Sequence, residues 1–183
     1  MVSRSVRVAV AESKQDAWVK RIPSADEKPV DHQFYARDDN GQGTLHYRGT
    51  LKVPADLVFL RLYAWDKLID TQSKKVGADQ KYALAANLQA DLIAYRTEFG
   101  MKRGGAETIL EKANDLVCGD VFVIQGQSNA EAWTDQRVVH PYRSPWLRSF
   151  GTPSTNKDRA RDAVWGNALS FNCLLYTSDA ADE

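Results

Sequence analysis

The pattern of the sequence changes at Leu116. Leu116-Val117-Cys118-Gly119-Asp120-Val121-Phe122-Val123-Ile124 is apolar at nearly every position, as expected of a strand covered on both faces in a parallel sheet. It runs into Gln125-Gly126-Gln127-Ser128-Asn129 and then Ala130-Glu131-Ala132-Trp133. Strand, sharp turn and first helical turn together predict the opening of a βα unit. A serine hydroxyl is a poor nucleophile unless it is exposed, oriented and beside a base. The carboxyl end of a parallel strand is where open α/β sheets bind ligands. N–H groups at the start of the next helix can stabilise an oxyanion, and Gly126 allows both the turn and the close approach of a substrate.

Upstream, short strands alternate with turn signals. Leu45, Tyr47, Leu51 and Val53 share one parity, and Pro54-Ala55-Asp56 closes that run. Leu57–Tyr63 is β-rich, Trp65-Asp66-Lys67 is a tight connection to Leu68–Thr71, and Gly77-Ala78-Asp79 precedes Tyr82 and Leu84. Ile93, Tyr95 and Phe99 face one way and Arg96 and Glu98 the other; Gly104-Gly105 then turns the chain into Thr108-Ile109-Leu110. This spacing predicts a small antiparallel sandwich. Two stretches, Tyr82–Leu92 and Glu107–Asn114, hold Ala, Leu, Glu and Lys that suit helices equally. Val6, Val8 and Val10 suit a short strand, Pro23–Pro29 a polar loop, and Asp38–Gly43 a turn. Beyond Ser128, His140–Asn156 reads as a loop and Asp158–Phe171 as a helix with Ala160, Ala163, Val164 and Ala168 inward.

With 183 residues, 43% hydrophobic and 26% charged, the chain has a globular composition and room for a core. The formal charge of zero gives no footprint for nucleic acid or an anionic membrane. No apolar run approaches the roughly 20 residues of a membrane span. Met1–Val10 lacks the apolar stretch of a signal peptide, which leaves the compartment open. Cys118 and Cys173 are too few for a disulfide framework. His32 and His46 have no ligand partner at metal-binding spacing, so neither a metal nor a cofactor is expected.

The block Gly119-Asp120-Val121-Phe122-Val123-Ile124-Gln125-Gly126-Gln127-Ser128-Asn129 resembles the first conserved block of the SGNH-hydrolase superfamily. Its Gly-Gln-Ser-Asn variant marks sialate O-acetylesterase-like and acetylxylan-esterase-like carbohydrate esterases. Arg143–Gly151 and Trp165 are similar to that group's text between its first and second blocks. The resemblance implies Ser128 as nucleophile, its own N–H in the oxyanion hole, and Gly126, Gln127 and Asn129 as the supporting turn. It implies an acetylated carbohydrate as substrate. The implied fold is α+β in two parts: an N-terminal segment (1–39), an antiparallel β-sandwich (40–114), and the first βα portion of a truncated α/β/α, flavodoxin-like domain (115–172). The family's base and orienting acid sit in a later Asp-x-x-His block, and this sequence contains no Asp-x-x-His.

Local residues have plainer readings. His140, only twelve positions after Ser128, reads as a loop or rim histidine. Asp120 reads as an acceptor of backbone hydrogen bonds at the turn rather than a catalytic acid. Cys118 reads as a small buried hydrophobe. Trp133, Trp146 and Trp165 could stack on a sugar ring, with at least two expected in the core. The competing function is a carbohydrate-binding or structural sandwich in which the Gly-Gln-Ser-Asn turn is incidental. Finally, Cys173–Glu183 resembles a reading frame of a transposase-type sequencing adapter. On that reading 173–183 is foreign, and the rest is the N-terminal fragment of an esterase, inactive without its later blocks.

Overall fold

Turn chemistry sets the two long hairpins. Strand β6 (Asp91–Arg103) returns as β7 (Ala106–Gly119) through Gly104 and Gly105, whose φ values of 56° and 85° are those of a type I′ turn. β3 (Leu57–Ala64) returns as β4 (Lys67–Lys75) through Trp65 and Asp66, again with both φ values positive but without glycine. The remaining strands are β1 (Phe34–Ala36), β2 (Gln42–Thr50), β5 (Lys81–Gln89), β8 (Arg148–Phe150) and β9 (Trp165–Asn167). The computed structural model describes residue 24, 26–123, 144–150 and 165–167. The segment 1–23 and the tail 173–183 lie outside the described residues.

Five strands form one sheet in the order β1-β7-β6-β3-β4, β2 pairs with β5, and β8 pairs with β9. Leu45 and Tyr47 of β2, and Leu84, Ala86 and Leu88 of β5, alternate inward and meet the large sheet in one core. That sheet contributes Val58, Leu60 and Leu62, Tyr95 and Phe99, and Ala113, Leu116 and Cys118. Phe99 is sandwiched by Tyr47, with ring centres 4.8 Å apart, and by Tyr82 at 4.7 Å. The one buried polar side chain in this list of core residues, Thr97, shares a 2.9 Å hydrogen bond with the Tyr47 hydroxyl, so neither oxygen is buried unpaired.

The opposite face of the large sheet is held by close packing and charge. Phe59 lies across Gly100: a Cβ at position 100 would collide with the Phe59 ring and sit 2.5 Å from the Thr108 carbonyl oxygen. Arg61 stacks over Phe59 at 4.6 Å and bonds Glu107 at 2.6 Å. Glu98 accepts from the Tyr63 hydroxyl at 3.0 Å and from Arg96 at 2.8 Å, with Lys112 at 3.4 Å. Burial pushes the Glu98 carboxyl up, but these bonds more than reverse it, and the group titrates below its ordinary value.

The α+β expectation is corrected by this architecture. Among the described residues there is no helix, and the protein is β-rich. Tyr82–Leu92 and Glu107–Asn114 are strand, because Leu84, Ala86, Leu88 and Ala113 find cross-strand and inter-sheet burial that outweighs local helix propensity. Trp165–Asn167, expected in a helix, pairs with Arg148–Phe150 instead. The large sheet is mixed rather than antiparallel throughout: Phe34, Tyr35 and Ala36 run parallel to Val117, Cys118 and Gly119. The helical turn expected at Ala130–Trp133 lies outside the described residues.

Two outcomes follow from the outer face. Gly100→Ala should cost about 1–3 kcal/mol by overpacking, since neither the Phe59 ring nor backbone can yield cheaply; urea denaturation measures it. Glu98 stabilises the fold above its ordinary pKa near 4.5, and that stability is lost as pH falls through its lower folded value. Glu98→Gln should therefore lower stability at pH 7 and flatten the acid limb of a stability-against-pH profile below about pH 4.5. An unchanged acid limb would show that Glu98 carries none of it.

Candidate functional site

The apolar run that begins at Leu116 is the end of β7. Leu116, Val117 and Cys118 are all buried, as a strand covered on both faces requires. Leu116 and Cys118 face the core with the β2–β5 layer, Val117 faces the β8–β9 side, and β1 covers the edge of β7 away from β6. The strand stops at Gly119, short of the expected Ile124. β1 ends at Ala36, opposite Gly119, and β6 begins at Asp91, opposite Cys118, so among the described residues no strand pairs with Asp120–Val123. Phe122 and Val123 are 83% and 88% exposed.

A cavity of about 1180 Å³ lies against this strand end. Phe34, Val117 and Gly119 line it from the sheet, Leu92 from the start of β6, and Leu147, Phe150 and Trp165 from the β8–β9 side. Trp165 lies between Phe34 and Phe150, at ring distances of 5.9 and 5.0 Å. Trp146 also lines the cavity, and Trp133 lies outside the described residues. Arg37 Nε donates to Asp120 Oδ1 at 2.6 Å. Among the described residues Asp120 thus partners a guanidinium; the turn that follows it lies outside them. Cys118, at the cavity wall, is a buried thiol whose pKa burial pushes up; it behaves as packing, not as an activated nucleophile.

A second polar cluster was not legible in the sequence. His32 Nδ1 and Asp115 Oδ2 lie 2.7 Å apart across 83 residues of chain. Both backbones are left-handed, with φ of 64° and 55°, a conformation that His and Asp accept more readily than most residues. Asn114 N–H donates to Asp31 Oδ1 at 2.8 Å, and His32 N–H to the Asn114 carbonyl at 3.0 Å, which locks the two turns together. Arg148 Nη2 meets the same Asp115 carboxylate at 2.9 Å, with the arginine side chain fully buried. Among the described residues its Nε and Nη1 have no hydrogen-bond partner, and Asp115 is the charge that offsets burial of this guanidinium.

Ser128, Gly126, Gln127, Asn129 and His140 lie outside the described residues. Among those described, no three His, Cys, Asp or Glu side chains are grouped to hold a metal ion. No described helix is long and apolar enough to cross a membrane.

Asp115→Asn keeps the left-handed backbone accessible and removes only the charge. It should cost roughly 2–3 kcal/mol, below the 3–5 kcal/mol of a fully buried pair because Asp115 is partly exposed. Arg148→Met removes the buried charge together with its need for a partner and should be near neutral. Equal losses for the two in urea denaturation would contradict the assignment.

No family model and no curated protein matches the chain. It is similar to a solved structure described as a novel carbohydrate acetylesterase from Xanthomonas citri, at 16% identity, over 87% of this chain, with a TM-score of 0.46. The chain spans 37% of that protein's length.

Proposed function

We propose that the chain is part of a serine carbohydrate esterase that removes O-acetyl groups from sugars, with Ser128 as the nucleophile. The observation that carries the reading is the block Gly119–Asn129, an apolar run into Gly126-Gln127-Ser128-Asn129 that directly follows the buried strand end Leu116–Cys118. Its first residues, Gly119–Val123, line a cavity, and Ser128 follows Val123 by five positions. Burial of Leu116–Cys118 on both faces, with a parallel neighbour, fits a chain that delivers this block from a rigid sheet end.

In the proposed reaction the general base takes the Ser128 hydroxyl proton as the oxygen attacks the acetyl carbonyl, and a tetrahedral oxyanion forms. The Ser128 N–H, with donors from later blocks, stabilises that charge. The C–O bond to the sugar then breaks, the sugar oxygen takes a proton from the general base, and the acetyl group remains on Ser128. Water hydrolyses this acetyl-enzyme, returning the serine hydroxyl and releasing acetate. The base belongs to the Asp-x-x-His block, which this sequence lacks. The His32–Asp115 pair has the contact of an oriented imidazole, yet among the described residues no hydroxyl touches the other ring nitrogen.

In the enzyme that carries the later blocks, Ser128→Ala should lower aryl-acetate hydrolysis by about 10⁴-fold or more, with the far-ultraviolet circular dichroism unchanged. The 183-residue chain alone should hydrolyse the same ester no faster than its own Ser128→Ala variant. A Ser128-independent rate in the larger enzyme would overturn the reading.

A further inference from the structure

The β3–β4 hairpin carries a residue that its turn does not favour. Ala64 pairs with Lys67, which leaves Trp65 and Asp66 as a two-residue loop with φ of 49° and 63°. Type I′ turns favour Asn-Gly, and a bulky aromatic side chain is a poor occupant of the left-handed region. Trp65 is also 61% exposed, so burial offsets little of that strain. Its ring stands edge-to-face with Trp146, at 5.4 Å and 83°. Trp146 in turn lines the cavity at the end of β7. Two indoles at right angles therefore lie where the hairpin approaches the cavity.

Polar groups flank the rings. Asp66 is 92% exposed, and its carboxylate lies 3.5 Å from the Arg96 guanidinium, which is itself stacked 3.8 Å over Tyr63. A flat π face beside an outward carboxylate suits one ligand chemistry well. The C–H face of a pyranose is apolar and slightly positive, and the face of an indole is negative. A neighbouring carboxylate accepts sugar hydroxyls. Single-stranded nucleic acid also stacks on aromatic rings, but it needs a cationic groove, and Asp66 would repel it.

We propose that the exposed ring of Trp65, braced edge-to-face by Trp146 and flanked by Asp66, is a stacking surface for a neutral polysaccharide at the edge of the β-sandwich. The proposal does not depend on Ser128, and it stands whether or not the esterase reading holds. Affinity electrophoresis of the 183-residue chain through gels containing arabinoxylan, glucomannan or hydroxyethyl cellulose tests it. At least one polymer should retard the protein. Trp65→Asn should weaken that retardation at least tenfold while leaving the melting temperature unchanged or raised, because asparagine suits the turn. Trp65→Phe, which keeps a flat ring, should retain part of the binding. Absence of retardation by all three polymers would overturn the proposal, as would full retardation of Trp65→Asn. A fall in melting temperature accompanying the loss would also overturn it, making Trp65 a structural clamp on Trp146.

Discussion

Strand β7 is paired on both sides, but over different lengths. β6 follows it from Arg103–Ala106 to Asp91–Cys118, whereas β1 meets only Val117, Cys118 and Gly119. The first half of the strand, Ala106–Lys112, is exposed or half-exposed at every position, and Leu116–Cys118 near its end are buried. Asp115, with its positive φ, marks the change: beyond it Leu116 and Cys118 enter the core, and Val117 is buried as well. The two-stranded β2–β5 layer, the β1 strand and the cavity all take their positions from this one strand.

Polar groups decide how tightly the layers are specified. Inside, the Tyr47–Thr97 bond satisfies a hydroxyl that could not reach water. Outside, Glu98 gathers donors from three strands, so the face remains ordered without an apolar cover. At the β8 connection, Arg148 is buried and, among the described residues, the Asp115 carboxylate balances it. Each arrangement is costly to half-dismantle, since removing one partner strands the other in a low dielectric.

Past Gly119 neither β1 nor β6 continues beside the chain, and Val121, Phe122 and Val123 lie along the wall of the cavity. The aromatic side chains of β1, β8 and β9 converge on the same space. A strand end next to a concave, ring-lined surface is a suitable support for a reactive turn, and the β3–β4 hairpin brings Trp65 toward its edge.

Much of the strand pattern was legible. Parity placed Leu45, Tyr47, Tyr95 and Phe99 inward, and Gly104-Gly105 marked its hairpin, because side-chain alternation and left-handed turns are properties of a few adjacent residues. The strand state of Leu84–Leu88 was not legible, since alanine and leucine favour a helix until a facing sheet rewards alternation. Continuous apolarity at Leu116–Cys118 did signal burial on both faces, while the point where the strand stops depended on where β1 and β6 stop. The sequence by itself carries the Gly126–Asn129 block on which the esterase proposal rests, because such a motif is a property of contiguous residues. The tertiary structure alone decided that His32, Asp115 and Arg148 meet, that Arg37 takes Asp120, and that Trp65 reaches Trp146. Those contacts join residues far apart in the chain, and no local propensity encodes a distance that only folding closes.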